Sequence, residues 1–214
     1  MANLITLSRL LLLILVVVIA YQPQSAWQLI DIPVLILVFV TDGFDGYIAR
    51  KRGEVSLFGA MFDIAGDRIV ELTMWMVLAD LDMVPIWVPL VFVIRGVIVD
   101  TIRAGQATEH GQSPFAAIRT GIGRWLVAGQ FMRIFYAVLK ATAFCWMLLL
   151  YSLPAAFPEI WTRWHVPLEL LGAVLVYLSV AICIARALPV VLEFVYAERG
   201  TILGSLSHNK GGRG

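Results

Sequence analysis

Long apolar stretches separated by short polar breaks dominate the pattern of this chain of 214 residues. An α-helix rises about 1.5 Å per residue, so about 20 apolar residues span the hydrocarbon core of a bilayer. The pattern predicts an all-α integral membrane protein with six transmembrane helices, the first of them short and lying at or in the membrane. The predicted helices cover about residues 7–21, 30–49, 57–81, 84–103, part of 114–153, and 166–188.

Polar breaks between these stretches set the predicted loops and domain boundaries. Loops are expected at Tyr21–Ala26, Asp80–Met83, Ala104–Gln112 and Pro154–Trp164. Ser113 and Pro114 resemble a helix N-cap followed by proline at the first helical position. The segment from Pro114 to Leu153 would be about 60 Å long as one helix, so it must bend, protrude or lie partly at the surface. The sequence thus predicts a transmembrane domain over 1–196 and a flexible cytoplasmic tail over 197–214.

Basic residues are distributed unevenly between the two predicted sides. The loops Tyr21–Ala26 and Asp80–Met83 contain no Lys or Arg, whereas the opposite side carries Arg50–Arg52, Arg103 and the basic residues of the tail. By the positive-inside rule, both termini are predicted to be cytoplasmic. Residues 1–26 also imitate a secretory signal peptide. The apolar segments that follow make a retained first helix the simpler interpretation.

Composition supports the interpretation as a membrane protein and gives no indication of a nucleic-acid partner. The chain is 60% hydrophobic and 14% charged, against about 45–50% and 25% in ordinary soluble domains. A formal charge of +1 without a run of basic residues gives no reason to expect nucleic acid as a partner. Cys145 and Cys183 lie in apolar runs without a metal-type spacing, so they are interpreted as small core residues.

Four carboxylates lie inside the second and third predicted helices. Asp42 and Asp45 are three residues apart, and Asp63 and Asp67 are four apart, so each pair shares one helix face. A charged side chain near the bilayer centre costs roughly 2.5–3.5 kcal/mol, which makes such residues candidates for a functional site. Asp42 lies about 12 Å from the basic end of its helix and Asp67 about 15 Å from the start of the next helix at Leu57, so both pairs are predicted at a similar depth on the cytosolic side. Hard carboxylate oxygens favour Mg²⁺ or Mn²⁺ shared with substrate phosphates.

Small residues accompany these carboxylates. Gly46 and Ala49 lie on the face of the first pair, and Gly59 is one turn before Asp63, which leaves room for a phosphate-bearing ligand. Two other interpretations are structural ion pairs between helices and a cation transporter that uses the acids as its pathway. Ion pairs do not require this glycine and alanine spacing. A transporter is disfavoured because no second half of the chain repeats the motif with inverted topology.

The order and spacing of the residues in this region resemble the sequence motif of a known family. The run is Asp42-x-x-Asp45-Gly46-x-x-Ala49-Arg50, eight residues, Gly59, three residues, Asp63, three residues and Asp67. Every fixed position matches the signature of the CDP-alcohol phosphotransferase family. The resemblance implies six transmembrane helices, a homodimer and a polar cavity open to the cytosol. It also implies an enzyme of phospholipid biosynthesis that transfers a phosphatidyl group from CDP-diacylglycerol to a small polar alcohol and releases CMP.

The resemblance carries residue roles over by position. It implies that Mg²⁺ or Mn²⁺ is held by Asp42, Asp45, Asp63 and Asp67, and that Asp67 is also the catalytic base. The positions similar to the nucleotide-binding residues of the family are Thr41, Asp45, Gly46, Ala49, Arg50 and Gly59. It further implies a multi-pass protein of a bacterial-type inner membrane, surrounded by lipids, with its active site facing the cytoplasm. Another interpretation is that the chain is an inactive relative that binds the nucleotide lipid without catalysing transfer.

The acceptor alcohol is the least determined feature. The opening Asn3–Arg9, Arg95, Arg103 and Gly123 with Gln130 resemble the phosphatidylglycerophosphate synthase branch, which implies glycerol 3-phosphate as acceptor. Arg95, Arg103 and Arg124 are the candidates for binding its phosphate. The chain departs from that branch at Gly96, where Glu is usual, and at Leu126, where Lys is usual. An inositol phosphate or another polar alcohol therefore remains an alternative.

Overall fold

The computed structural model describes residues 2–52, 57–110, 125 and 129–197. Within these ranges the description does not extend to the side chains of 2–5, 42–52, 57, 58, 60, 103, 106–110 and 197. Every element in the described ranges is helical, and none of them is a strand. The predicted all-α class is therefore confirmed.

The described part of the chain consists of long helices joined by short turns. They are α1 (Ala2–Ala20), a 3₁₀ helix (Ala26–Ile30), α2 (Asp31–Arg52), α3 (Leu57–Asp80), α4 (Trp87–His110), α5 (Gln130–Ala156) and α6 (Pro158–Ala197). Among the described residues, two helices are long and apolar enough to cross a membrane by length and composition, Gln130–Ala156 and Pro158–Tyr196. Thr6–Ala20 and Ala26–Thr41 are shorter apolar stretches. The count of six spans stays a prediction.

Two predicted loops are wrong. The stretch Pro154–Trp164 is almost wholly helical, because α5 continues to Ala156 and α6 begins at Pro158. Proline fits the first position of a helix, where its missing N–H has no partner to lose. The N–H of Phe157 donates to the carbonyl of Leu153 at 2.8 Å, which closes the last turn of α5.

The predicted loop Ala104–Gln112 is also helical as far as His110. Its polar residues include good helix formers such as Gln106 and Glu109, so polarity alone does not end α4. The predicted cap at Ser113 and Pro114 lies outside the described residues, as do 198–214, which contain nearly all of the predicted tail. The domain boundaries therefore stay a prediction.

The chain packs as two compact units. Unit 1 comprises residues 1–90 and 137–179. In it, α1 packs against both α2 and α3, and the indole of Trp75 on α3 meets the ring of Phe144 on α5 edge-on, with centroids 4.6 Å apart. In a bilayer, lipid tails are as apolar as these side chains, so close van der Waals packing between the helices stabilises the unit. Its buried side chains include Leu13, Val16, Leu35, Val38, Met74, Leu78 and Leu148.

A buried glutamine caps the end of α1. The Nε2 atom of Gln28 lies 3.2 Å from the carbonyl oxygen of Ile19, 3.4 Å from that of Ala20 and 2.9 Å from that of Gln22. Its Oε1 accepts the N–H of Ser25 at 3.1 Å. The last carbonyls of a helix lack partners within the helix. Gln28 therefore supplies donors to them and fixes the turn into α2.

The turn after α3 has a residue in the left-handed region. Asp82 has φ 58°, the N–H of Met83 donates to the carbonyl of Leu78 at 2.9 Å, and the N–H of Asp82 donates to that of Ala79 at 3.2 Å. These two bonds form a Schellman motif, which satisfies the final carbonyls of a helix. Aspartate tolerates this conformation better than most residues, although glycine adopts it at less cost.

Unit 2 comprises residues 91–136 and 180–214. Its described core groups Val99 and Ile102 of α4 with Val190 of α6, which is joined by Phe194 and its neighbours. The guanidinium of Arg186 lies 5.5 Å from the centroid of the Tyr136 ring. A cation over an aromatic face is stabilised by the quadrupole of the ring, and more strongly where both groups are desolvated.

Candidate active site

Two of the predicted acids lie on one open face of α3. Asp63 and Asp67 are one helical turn apart, and their side chains are 46% and 56% exposed. The surrounding residues of α3 are mostly apolar, so these carboxylates form a polar patch on an apolar helix. The structure thus confirms the shared face that the four-residue spacing predicts.

Arg9 lies directly behind this patch. Its side chain is 1% exposed, and its Nη1 donates to Oδ1 of Asp67 at 3.0 Å. Its Nη2 donates to the backbone carbonyl of Asp63 at 3.4 Å and lies 3.9 Å from Oδ1 of that residue. One buried cation on α1 therefore contacts both acids of α3. The sequence interpretation assigned Arg9 no role in the site.

Gly66 makes room for this arginine. A Cβ atom built on Gly66 would overlap Nη2 of Arg9 and would lie 3.0 Å from the side-chain methyl of Thr6. α1 and α3 can approach closely here only because position 66 has no side chain. The residue before Asp67 was not singled out from the sequence, since its purpose depends on a partner in another helix.

A second charged cluster, formed by Arg68, Glu71 and Lys140, begins on α3 directly after Asp67. Glu71 is 7% exposed, and it accepts a hydrogen bond from Nζ of Lys140 on α5 at 2.5 Å. Its other oxygen accepts Nη1 of Arg68 at 2.9 Å. The sequence pattern did not identify Glu71 as a functional or structural residue and did not predict its ion pair with Lys140. The only signal in the sequence was the presence of these charges within apolar segments.

The α2 half of the motif is only partly described. The backbones of Asp42, Asp45, Gly46, Ala49 and Arg50 are helical within α2, and their side chains lie outside the description. The hydroxyl of Thr41, another predicted nucleotide-binding residue, donates to the carbonyl of Leu37 at 2.8 Å and is 3.0 Å from that of Val38. Gly59 lies near the start of α3. The predicted roles of these residues stay predictions.

The described part of the site suits a hard divalent cation. Asp63 and Asp67 keep about half of their side-chain surface accessible to an ion, although Oδ1 of Asp63 is itself buried at 3.9 Å from Nη2 of Arg9. Carboxylate oxygens are the ligands that Mg²⁺ and Mn²⁺ prefer. No group of three or more metal-ligating residues occurs among the side chains described, and those of Asp42 and Asp45 are not among them. The donor chemistry fits, and the set of four ligands stays a prediction.

The predicted acceptor residues belong to unit 2. Arg95 is partly buried on α4, and its Nε is buried without a hydrogen-bond partner among the described residues. A Cβ atom at the neighbouring Gly96 would meet nothing within 4 Å. Arg103 lies on α4 with its side chain outside the description, and Arg124 lies outside the described residues altogether. Arg95 thus has an unused donor, as binding of an anion requires.

Several known proteins are similar in sequence to part or most of this chain. A CDP-diacylglycerol–glycerol-3-phosphate 3-phosphatidyltransferase of Wigglesworthia glossinidia brevipalpis is 29% identical over 140 residues, which are 64% of this chain and 76% of that protein. The protein of the same name from Salmonella choleraesuis (strain SC-B67) is 26% identical over 205 residues, 94% of this chain and 96% of its own length. A cardiolipin synthase (CMP-forming) of Streptomyces coelicolor is 33% identical over 93 residues, which are 43% of this chain and 41% of that protein.

The sequence profile described as CDP-alcohol phosphatidyltransferase matches residues 1–185. This range includes α1 with Arg9, the complete aspartate motif and α3 with its paired carboxylates. The match extends well beyond the motif on which the sequence resemblance depends. The chain therefore belongs to the CDP-alcohol phosphatidyltransferase family.

Proposed function

We propose that this enzyme transfers the phosphatidyl group of CDP-diacylglycerol to glycerol 3-phosphate and releases CMP. The structural observation that carries the proposal is the pair of part-exposed carboxylates, Asp63 and Asp67, on an otherwise apolar helix. The relatives that align with most of this chain are named for this reaction. An inositol phosphate remains the alternative acceptor.

The residues of the aspartate motif have distinct roles in this proposal. Asp42, Asp45, Asp63 and Asp67 would hold Mg²⁺ or Mn²⁺, which when bound neutralises charge on the diphosphate as its bond to CMP breaks. Asp67 takes the proton of the incoming hydroxyl as general base, and the acceptor oxygen displaces CMP in line. The nucleotide is bound by Thr41, Asp45, Gly46, Ala49, Arg50 and Gly59, of which the glycines and alanine leave room for cytidine and Arg50 contacts phosphate.

The acceptor phosphate is assigned to Arg95, with Arg103 and Arg124 as further basic residues. Arginine suits this role because its planar guanidinium donates two parallel hydrogen bonds to a phosphate. Nε of Arg95 has no hydrogen-bond partner among the described residues, which supports the assignment. The proposal also includes six membrane spans in a bacterial-type inner membrane, a homodimer, a site open to the cytoplasm and both termini on that side. Those features follow from the positive-inside distribution and the family resemblance.

The test is release of CMP by protein purified into lipid nanodiscs that contain CDP-diacylglycerol. Glycerol 3-phosphate, inositol phosphate, inositol, serine and phosphatidylglycerol are supplied separately with Mg²⁺, and the lipid product is identified by mass spectrometry. We expect metal-dependent release with glycerol 3-phosphate, and none from Asp67→Asn. A product with inositol phosphate alone would select the alternative acceptor. Cardiolipin as the only product would align the chain with the Streptomyces relative and overturn the proposed acceptor.

A further inference from the structure

A nearly completely buried arginine faces the side of Asp67 that is turned away from the open patch. We propose that Arg9 is a positioning residue for the transfer reaction, which holds the Asp67 carboxylate in the orientation that takes the proton of the acceptor. The inference rests on the proposed function, in which Asp67 is the general base. Arg9 itself touches no substrate in this scheme and acts through Asp67.

The geometry of the two donors supports this role. Nη1 of Arg9 engages Oδ1 of Asp67 at 3.0 Å, and Nη2 engages the backbone of Asp63 at 3.4 Å. Two donors of one rigid guanidinium are thereby tied to α3 at points one helical turn apart, which fixes the plane of the group. The Asp67 side chain is nevertheless 56% exposed. Arg9 restricts the rotation of the carboxylate from behind and leaves its outer side accessible to a reactant.

The fit around the guanidinium is narrow. Any side chain at position 66 would overlap Arg9, and the methyl of Thr6 closes the same space. A glycine inside a helix costs about 0.5–1 kcal/mol relative to alanine, so the sequence accepts a less stable α3 at the point where the arginine lies. The space between α1 and α3 therefore holds the Arg9 guanidinium only in the orientation that the structure shows.

A purely structural link between α1 and α3 is the competing explanation. The Glu71–Lys140 ion pair offers a comparison, because it also joins α3 to another helix, although there the carboxylate and not the cation is the more buried partner. Loss of a structural link lowers stability and leaves the turnover of folded enzyme unchanged. Loss of a positioning residue lowers turnover by more than the folded fraction explains, since a misplacement of about 1 Å costs on the order of 100-fold in rate.

The experiment compares wild type with Arg9→Gln, Arg9→Lys and the control Lys140→Met in nanodiscs. Steady-state kinetics give kcat and KM, thermal melting gives the folded fraction, and electron paramagnetic resonance gives Mn²⁺ affinity without turnover. We expect Arg9→Gln to lower kcat by on the order of 100-fold, with KM for CDP-diacylglycerol within about threefold of wild type. Mn²⁺ affinity is expected to be unchanged or higher, because a neighbouring positive charge has been removed.

The other two variants sharpen the result. Arg9→Lys keeps the charge and one donor to Asp67, so we expect it to recover at least about tenfold of the lost kcat, although a lysine cannot engage α3 at two points. Lys140→Met is expected to melt at lower temperature and to keep a higher kcat per folded molecule than Arg9→Gln. Lys140 acts on Asp67 through its charge, whereas Arg9 holds the carboxylate by a hydrogen bond. Arg9→Gln with a similar kcat per folded molecule would overturn the inference. A loss of kcat matched by a loss of Mn²⁺ binding would also overturn it, since Arg9 would then hold the metal site together.

Gly66→Ala tests the same contact from the opposite side. Its Cβ displaces the guanidinium, so we expect a lower kcat in the wild-type background and no further loss in the Arg9→Gln background. Equal losses in both backgrounds would show that Gly66 acts independently of Arg9 and would contradict the inference. Wild-type protein that releases no CMP with any acceptor would instead overturn the proposed function, which separates the two failures.

Discussion

Neutralising Glu71 should destabilise the protein more than any other substitution in the described charged clusters except those at Arg9. Glu71 is 7% exposed, and its partners Lys140 and Arg68 are 18% and 25% exposed. Removing one member of a buried ion pair costs about 3–5 kcal/mol, because the other charge stays desolvated. A pair three residues apart on one helix contributes only a few tenths of a kcal/mol. Most of the expected loss, about 3 kcal/mol, therefore comes from Lys140.

A double-mutant cycle measures this interaction. Glu71→Gln and Lys140→Met are each compared with wild type and with the double variant in nanodiscs, and the free energy of unfolding is followed by circular dichroism during titration with denaturing detergent. The double variant removes both charges and leaves the long apolar Met side chain in place of Lys140. We expect it to be more stable than the sum of the single losses by at least about 1.5 kcal/mol. A coupling energy below about 0.5 kcal/mol would refute the reasoning.

Four smaller perturbations follow from local contacts. Gln28→Glu should lower the free energy of unfolding by about 2–3 kcal/mol in detergent titration, because a carboxylate faces the α1 carbonyls without donors; stability equal to wild type would contradict the capping role. Asp82→Gly should raise it by about 0.5–1 kcal/mol, since glycine adopts a positive φ without strain, and an unchanged melting curve would argue against that strain. Gly96→Ala should also raise it by about 0.5–1 kcal/mol, because the new methyl meets open space inside a helix; a loss would show that the space is occupied. The hydroxyl of Tyr21 donates to Asp80 at 2.5 Å, and this bond, then burial, then the Asp80 charge raise the pKa of Tyr21. The bond should therefore stabilise the protein at any pH below the usual tyrosine pKa of about 10. This contribution is lost as pH rises through the higher pKa of the folded state. The melting temperatures of wild type and Tyr21→Phe should therefore converge only at strongly alkaline pH.

Long apolar segments made the helical framework predictable. The predicted start of α3 at residue 57 and its end near 81 agree with Leu57–Asp80, because a mostly apolar segment begins at Leu57 and a polar turn follows Asp80. The same rule failed where proline and polar residues do not interrupt a helix. Pro158 is at the first position of α6, which tolerates a missing N–H. Pro154 lies inside α5 and forgoes its own bond to the preceding turn, but the N–H of Phe157 still donates to the carbonyl of Leu153 and closes the helix end.

The acids of the site were predictable, and the cations around them were not. Asp63 and Asp67 are four residues apart, so their common face follows from helix geometry alone. The partners Arg9 and Asp67 are separated by 58 residues, and Glu71 and Lys140 by 69. Local periodicity contains no information on which distant helix faces a residue. Only the tertiary packing of α1 and α5 against α3 reveals these pairs.

Accessibility distinguishes the two clusters on α3. Glu71 is 7% exposed and is paired with Lys140 and Arg68. Asp63 and Asp67 contact Arg9 and keep about half of their side chains exposed on an open face. The charges of Lys140, Arg68 and Glu71 also act on Asp67, so the two clusters share one electrostatic environment. Apolar surroundings make uncompensated charge costly, and Asp42 and Asp45 would add two negative charges if they face the same ion, as the proposed function requires. An external divalent cation can reach the open carboxylates and would compensate that excess, whereas Glu71 is enclosed by its cationic partners. Similar side chains one turn apart on the same helix are therefore suited to different tasks, the first pair to chemistry and Glu71 to helix packing.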